Sequence, residues 1–117
     1  MGTLTFKPVA IPITIKIKEN SFLARVAAYY MKADKIAMVI GRTIHLHNTS
    51  RLQFLGNQRW VRHEVAHVYQ WEKLGKIRFA INYIRESLNK GYYKNRFEVE
   101  AREKETDTGI LDHIHIV

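Results

Sequence analysis

From about Gln58 to Leu74 the chain carries apolar residues on more than one side of a helix: Trp60, Val61, Val65, Val68, Tyr69 and Trp71. A surface helix needs only one apolar stripe, whereas a helix that is apolar around more of its circumference must be covered by other elements. This stretch therefore reads as the central, largely buried helix of the fold. Gly75 follows where glycine commonly closes a helix. The rest of the 117 residues has to be arranged around it, and that length suits a single domain spanning residues 1–117.

The flanking segments supply the cover. Ile13 to Lys18, "ITIKIK", alternates with period two and predicts a strand with one buried face. Ser21 is a candidate N-cap, and the helix after it places Phe22, Leu23, Val26, Ala27 and Tyr30 on a stripe expected to face the core. Ile36 to Ile40 and Thr43 to His47 flank Gly41-Arg42, which predicts a hairpin with a type II′ turn. Ser50 caps a short helix, "RLQFL", ending near Gly56-Asn57. After the central helix, Ile77, Ile81, Ile84 and Leu88 share one face of a helix that Gly91 ends. A last helix is expected over about Asn95 to Glu105, and the alternating tail "ILDHIHIV" predicts a short strand. Strands come mainly first and helices later. That order implies an α+β fold, a small antiparallel or mixed sheet packed against several helices.

Composition narrows the chemistry. The absence of cysteine excludes disulfides, thiol nucleophiles and cysteine-zinc sites, so a tightly held transition metal would need histidine and carboxylate ligands. The net charge of +8 raises nucleic acid, an anionic membrane or an acidic partner as possibilities. Yet the lysines and arginines are scattered from Lys7 to Lys104, with only a modest group at Arg51, Arg59 and Arg62, as on a solvated surface. Neither a membrane nor a nucleic-acid partner is expected. The first residues are interrupted by Pro8, Pro12, Lys16 and Lys18 and do not read as a signal peptide, which makes the cytoplasm the default compartment.

The central helix carries the chemistry. His63-Glu64-Val65-Ala66-His67 is an H-E-x-x-H sequence. Residues four apart lie on one helix face, so His63 and His67 can present imidazole nitrogens to one zinc ion at ~2.0–2.1 Å. Glu64 is rotated ~100° from His63, able to lean toward a zinc-activated water without ligating the metal. The bland alternative is a pair of hydrogen-bonded core histidines. Two histidines and a glutamate on a buried helix need polar partners, and a metal supplies them. A catalytic zinc takes a third protein ligand. No histidine or glycine lies between Val68 and Lys73, so that ligand comes from elsewhere; "NRFEVEARE" offers Glu98 and Glu100 on a later helix, with a solvated helix face as the alternative for both.

"HEVAH" followed by "FEVEAR" resembles the gluzincin group of zinc metallopeptidases. More closely, "RHEVAHVYQ…GYYKNRFEVEARE" resembles small bacterial proteins of a minimal metallopeptidase-like type, including a metallopeptidase domain associated with extracellular contractile injection systems. The resemblance covers about Thr43 to Glu105. It implies a zincin-like fold, a Zn2+ cofactor on His63, His67 and Glu98 with Glu100 in reserve, Glu64 as the catalytic base, and a peptide or protein substrate. Many gluzincins carry an acidic residue four positions after the ligand glutamate; here that position is Arg102, and Glu72, Glu103 or a backbone carbonyl would have to orient the histidines instead.

Other residues have two readings each. His45 and His47 point to one side of their strand. In the resembling peptidases a strand edge binds extended substrate, and these histidines could line the cleft or assist an oxyanion; ordinary hydrogen-bonded histidines are the alternative. Tyr93 is a candidate oxyanion donor or a packing residue. Trp60 and Trp71 read as core. Three functions are carried forward: a zinc-dependent peptidase or hydrolase, a zinc-binding scaffold without turnover, and a basic nucleic-acid-binding protein.

Overall fold

In the computed structural model, which describes residues 12–117, β1 (Ile13–Lys18) lies inside a four-stranded sheet. The sheet order is β2–β3–β1–β4, from β2 (Ile36–Ile40), β3 (Thr43–His47) and β4 (Ile114–Ile116). β1 runs parallel to both neighbours, with Ile17 opposite Ile44 and Thr14 opposite His115. β2 and β3 form the expected antiparallel hairpin. Gly41 has φ +63°, while Arg42 is not in the left-handed region, as a type II′ turn requires. The fold is α+β, with a mixed sheet and, among the described residues, five α-helices: α1 (Phe22–Met31), α2 (Arg51–Leu55), α3 (Gln58–Leu74), α4 (Lys76–Lys94) and α5 (Arg96–Glu103).

α3 is the central helix. Val61, Val65 and Val68 pack against Ile15, Val39, Ile44, Leu46 and Phe54 in the main core. Trp60 packs edge-on against Phe54, and Trp71 packs on Phe79 while its Nε1 donates to the Val39 carbonyl at 3.1 Å. Asn57 caps α3 and Gly75, at φ +82°, closes it. Ser50 and Gln53 form a capping box on α2.

Two helices turn a different face inward than their apolar stripes predict. In α1 the buried residues are Ala24 and Ala28, while Phe22, Leu23, Val26 and Tyr30 are exposed. The cause is Ser21. Its hydroxyl accepts from the Ala24 N–H and bonds His45 Nδ1 at 2.8 Å, and its own N–H donates to the Leu46 carbonyl. Pinned to β3 at Ser21, the helix places the residues three and seven positions on against the sheet. Small alanines permit that close approach. In α4, Phe79 is buried and Ile77, Ile81, Ile84 and Leu88 are exposed. Phe79 sits among Trp71, Tyr83 and Phe97 at centroid separations of 4.7–5.7 Å, so an aromatic cluster sets this helix's rotation.

α4 breaks at Gly91, at φ +81° and ψ 166°, where the sequence predicts its end. α5 stops at Glu103, and a tight turn over Lys104–Thr106 replaces the expected last helical residues. That turn packs back on α3. No helix among the described residues is long and apolar enough to cross a membrane.

Candidate metal centre

His63 and His67 project from α3 toward α5, and Glu98 projects back from the first turn of α5. The Nε2 atoms of His63 and His67 lie 3.1 and 3.2 Å from the same atom, Glu98 Oε1. One ligand atom from each of the three residues falls within a 4.8 Å span. Ligands at ~2.0–2.1 Å around a tetrahedral ion stand ~3.3 Å apart. The His63–His67–Glu98 group can therefore hold a metal ion. Glu100, two residues on, points elsewhere and accepts from Gln70 Nε2 at 2.8 Å.

The surrounding hydrogen bonds fix which ring nitrogens carry protons. Gln70 Nε2 donates to the Phe97 carbonyl and to Glu100, which turns Gln70 Oε1 toward His67 Nδ1 at 2.8 Å. That oxygen can only accept, so His67 Nδ1 must donate. His63 Nδ1 likewise donates to Glu105 Oε2 at 2.9 Å. With both Nδ1 atoms protonated, a neutral imidazole at either position turns a bare Nε2 lone pair toward Glu98. A cation between them resolves that repulsion; without one, the rings must take up protons.

The electrostatics agree. Burial works against charge on His67, but the bond to Glu98 and the nearby Glu64 outweigh it and raise its pKa to about 9. His63 is also raised, its burial outweighed by Glu98 and Glu64. Burial would lift the Glu98 carboxyl, yet bonds from His63, His67 and Tyr83 hold it well below the usual range. Tyr83 donates to Glu98 Oε2 at 2.6 Å, leaving Oε1 for the histidines.

Glu64 differs from its neighbours. It is buried, has no hydrogen-bond partner among the described residues, and lines cavities on both sides of the site. Burial, only partly offset by the two histidines, pushes its pKa up to about 7. Tyr92 lines the same two cavities, and burial and then the Glu98 charge push its hydroxyl pKa up.

Among the supporting residues, the structure agrees with the packing alternative for Tyr93 and the hydrogen-bonded alternative for His45. Tyr93 is exposed and lies under the Arg102 guanidinium, 4.1 Å from its ring centre; Tyr92, itself 47% exposed, is the tyrosine that lines both cavities with Glu64. Arg102 is thereby directed away from the histidines, also donating to the Tyr93 carbonyl. Glu72 pairs with Arg42, and Glu103 is exposed. The orienting carboxylate is Glu105, returned to α3 by the tight turn after α5. His45 is held by Ser21 and lines neither cavity beside the site, nor does His47. Of the residues that sequence reasoning missed, Gln70 carried a usable signal, since it lies three positions after His67 on the same helix face. No protein-family model matches the sequence, and no curated protein and no solved structure is significantly similar to it.

Proposed function

We propose that this protein is a zinc-dependent hydrolase of peptide bonds, with His63, His67 and Glu98 as metal ligands and Glu64 as general base. One observation carries the reading: two Nε2 lone pairs and a carboxylate oxygen converge on one point, while Glu64 stands beside it unbonded and open to both cavities. A two-histidine, one-carboxylate donor set suits zinc, which bound there would polarise a carbonyl and lower the pKa of water. The resemblance of "HEVAH" and "FEVEAR" to gluzincin peptidases supports the same assignment.

The chain's own residues have definable parts. Gln70 and Glu105 hold the imidazoles in the Nδ1–H tautomer. Glu64, buried beside the ligand group and open to both cavities, accepts a proton from the attacking water and returns it to the leaving amine. The Tyr92 hydroxyl is placed to donate to a developing oxyanion. β2 provides a docking edge. Ile40 and Thr43 close its turn, so alternate residues Ala37 and Val39 turn their peptide groups outward. The Val39 carbonyl is taken by Trp71, while Ala37 N–H and C=O and Val39 N–H have no partner among the described residues and could pair with an extended substrate.

Metal analysis of the purified protein tests the ligand set: about one zinc per chain, lost in His67→Ala. Glu64→Gln should keep its zinc and abolish hydrolysis of a peptide library, without loss of stability, because a buried charge is removed. Zinc in both proteins with turnover in neither would establish a scaffold instead. Zinc loss in Glu64→Gln would make Glu64 a ligand.

A further inference from the structure

The two cavities that meet at Glu64 differ in character. One, of about 430 Å³, is bordered by Lys35, Asn57, Arg59, His63 and Glu105. The other, of about 530 Å³, lies between α1 and α4 along β2, with walls that include Met31, Met38, Trp71, Phe79, Ala80 and Ile84. Among the described residues its only charged or titratable acid and histidine side chains are Glu64, His67 and Glu98, in a protein that is 26% charged overall. The lips are apolar too: Met31 and Ile84 are 47% and 58% exposed.

We infer that the substrate is an extended polypeptide with large aliphatic or aromatic side chains on one side of the scissile bond and polar side chains on the other. The inference rests on the hydrolase reading for the position of the scissile bond. A charged substrate side chain entering the larger cavity would lose water and find no charged partner among the described residues beyond the metal group itself. A leucine or phenylalanine would cover Met31, Trp71 and Ile84, side chains that otherwise border open space. The outward peptide groups of Ala37 and Val39 run along the same cavity, so main-chain pairing would hold the segment while its side chains choose the cavity.

The test uses short extended peptides in three forms: leucine and phenylalanine before serine and glutamine, the same blocks in reverse order, and an all-polar control. Binding is measured by fluorescence anisotropy on zinc-loaded Glu64→Gln protein, and cleavage on the wild type. One of the two block orders should bind on the order of a hundredfold more tightly than the all-polar peptide, as expected for large side chains in an apolar pocket. Ile84→Glu, at an exposed position that tolerates change, should remove most of that preference. Equal binding of all three peptides, preference for the polar one, or self-association through the groove that peptide cannot displace would overturn the inference. Selective binding without cleavage by the wild type would sustain it and sink the hydrolase reading. Cleavage of all three at one rate would do the reverse.

Discussion

At the residue scale, the roles of Glu98, Glu100 and Gln70 separate by substitution. Glu98 touches both imidazoles, whereas Glu100 touches only the amide that orients one of them. Glu98→Gln should weaken zinc binding most. Gln70→Ala should weaken it about 10–100-fold, the usual effect of losing a partner that orients a ligand, and Glu100→Gln should do less. Chelator competition measures all three, and equal losses for Glu98→Gln and Glu100→Gln would refute the assignment. The histidine pair is legible in the sequence because spacing alone puts both rings on one face. Glu98 and Glu100 are both offered by the sequence, and only the resemblance separates them there. In the fold they stand ~200° apart around α5, so its rotation against α3 selects one. Tyr83 and Glu105 are not legible, since each depends on how a segment is turned after packing.

At the scale of elements, the ends are readable, whereas the inward faces of α1 and α4 are not. Ser21, Ser50, Gly41, Gly75 and Gly91 mark boundaries because caps and positive φ angles are local requirements. Rotation of a helix about its axis is a tertiary property, and in α1 and α4 a pinned serine and an aromatic cluster override the larger aliphatic stripes. Stability measurements should follow the observed rotations. Ser21→Ala should cost about 2 kcal/mol, from a lost cap and an unpaired His45, while Phe22→Ala should cost under about 0.5 kcal/mol. Phe79→Ala should cost about 3–5 kcal/mol against less than about 1 kcal/mol for Ile77→Ala. Denaturant unfolding checks both pairs, and a reversed order in either would mean that helix faces the other way.

Across the whole molecule, metal and acidity should act on stability in opposition. In metal-free protein, Glu64 is raised from 4.5 to about 7 and His67 from 6.5 to about 9. For groups raised on folding, the stabilisation is fully present below the unfolded pKa and is lost as pH climbs through the folded one. Glu98 is lowered, so its contribution is present above 4.5 and is lost as acid protonates it in the fold. Metal-free protein should therefore be most stable near about pH 4.5 and weaken from there toward pH 9. Zinc must displace the imidazole protons, so its stabilisation should grow over that same interval. Tm measured with zinc and with chelator at about pH 6 and pH 9 should diverge at the higher pH; a constant or shrinking gap would contradict the ligand set.

His67 and Glu98 are 31 positions apart in the chain. Under the proposed occupancy, the metal is thus a covalent-like clasp in a protein with no disulfide, and α4 is the loop it closes. By the loop-closure arithmetic of a disulfide, a ring of that size restrains the unfolded chain by between about 3 and 4.7 kcal/mol. A protease cut within α4 would sever the backbone but not the clasp. Nicked, zinc-loaded protein should run as one species on gel filtration and part into two fragments when chelator is added; immediate separation despite bound zinc would show that the ion does not bridge α3 and α5.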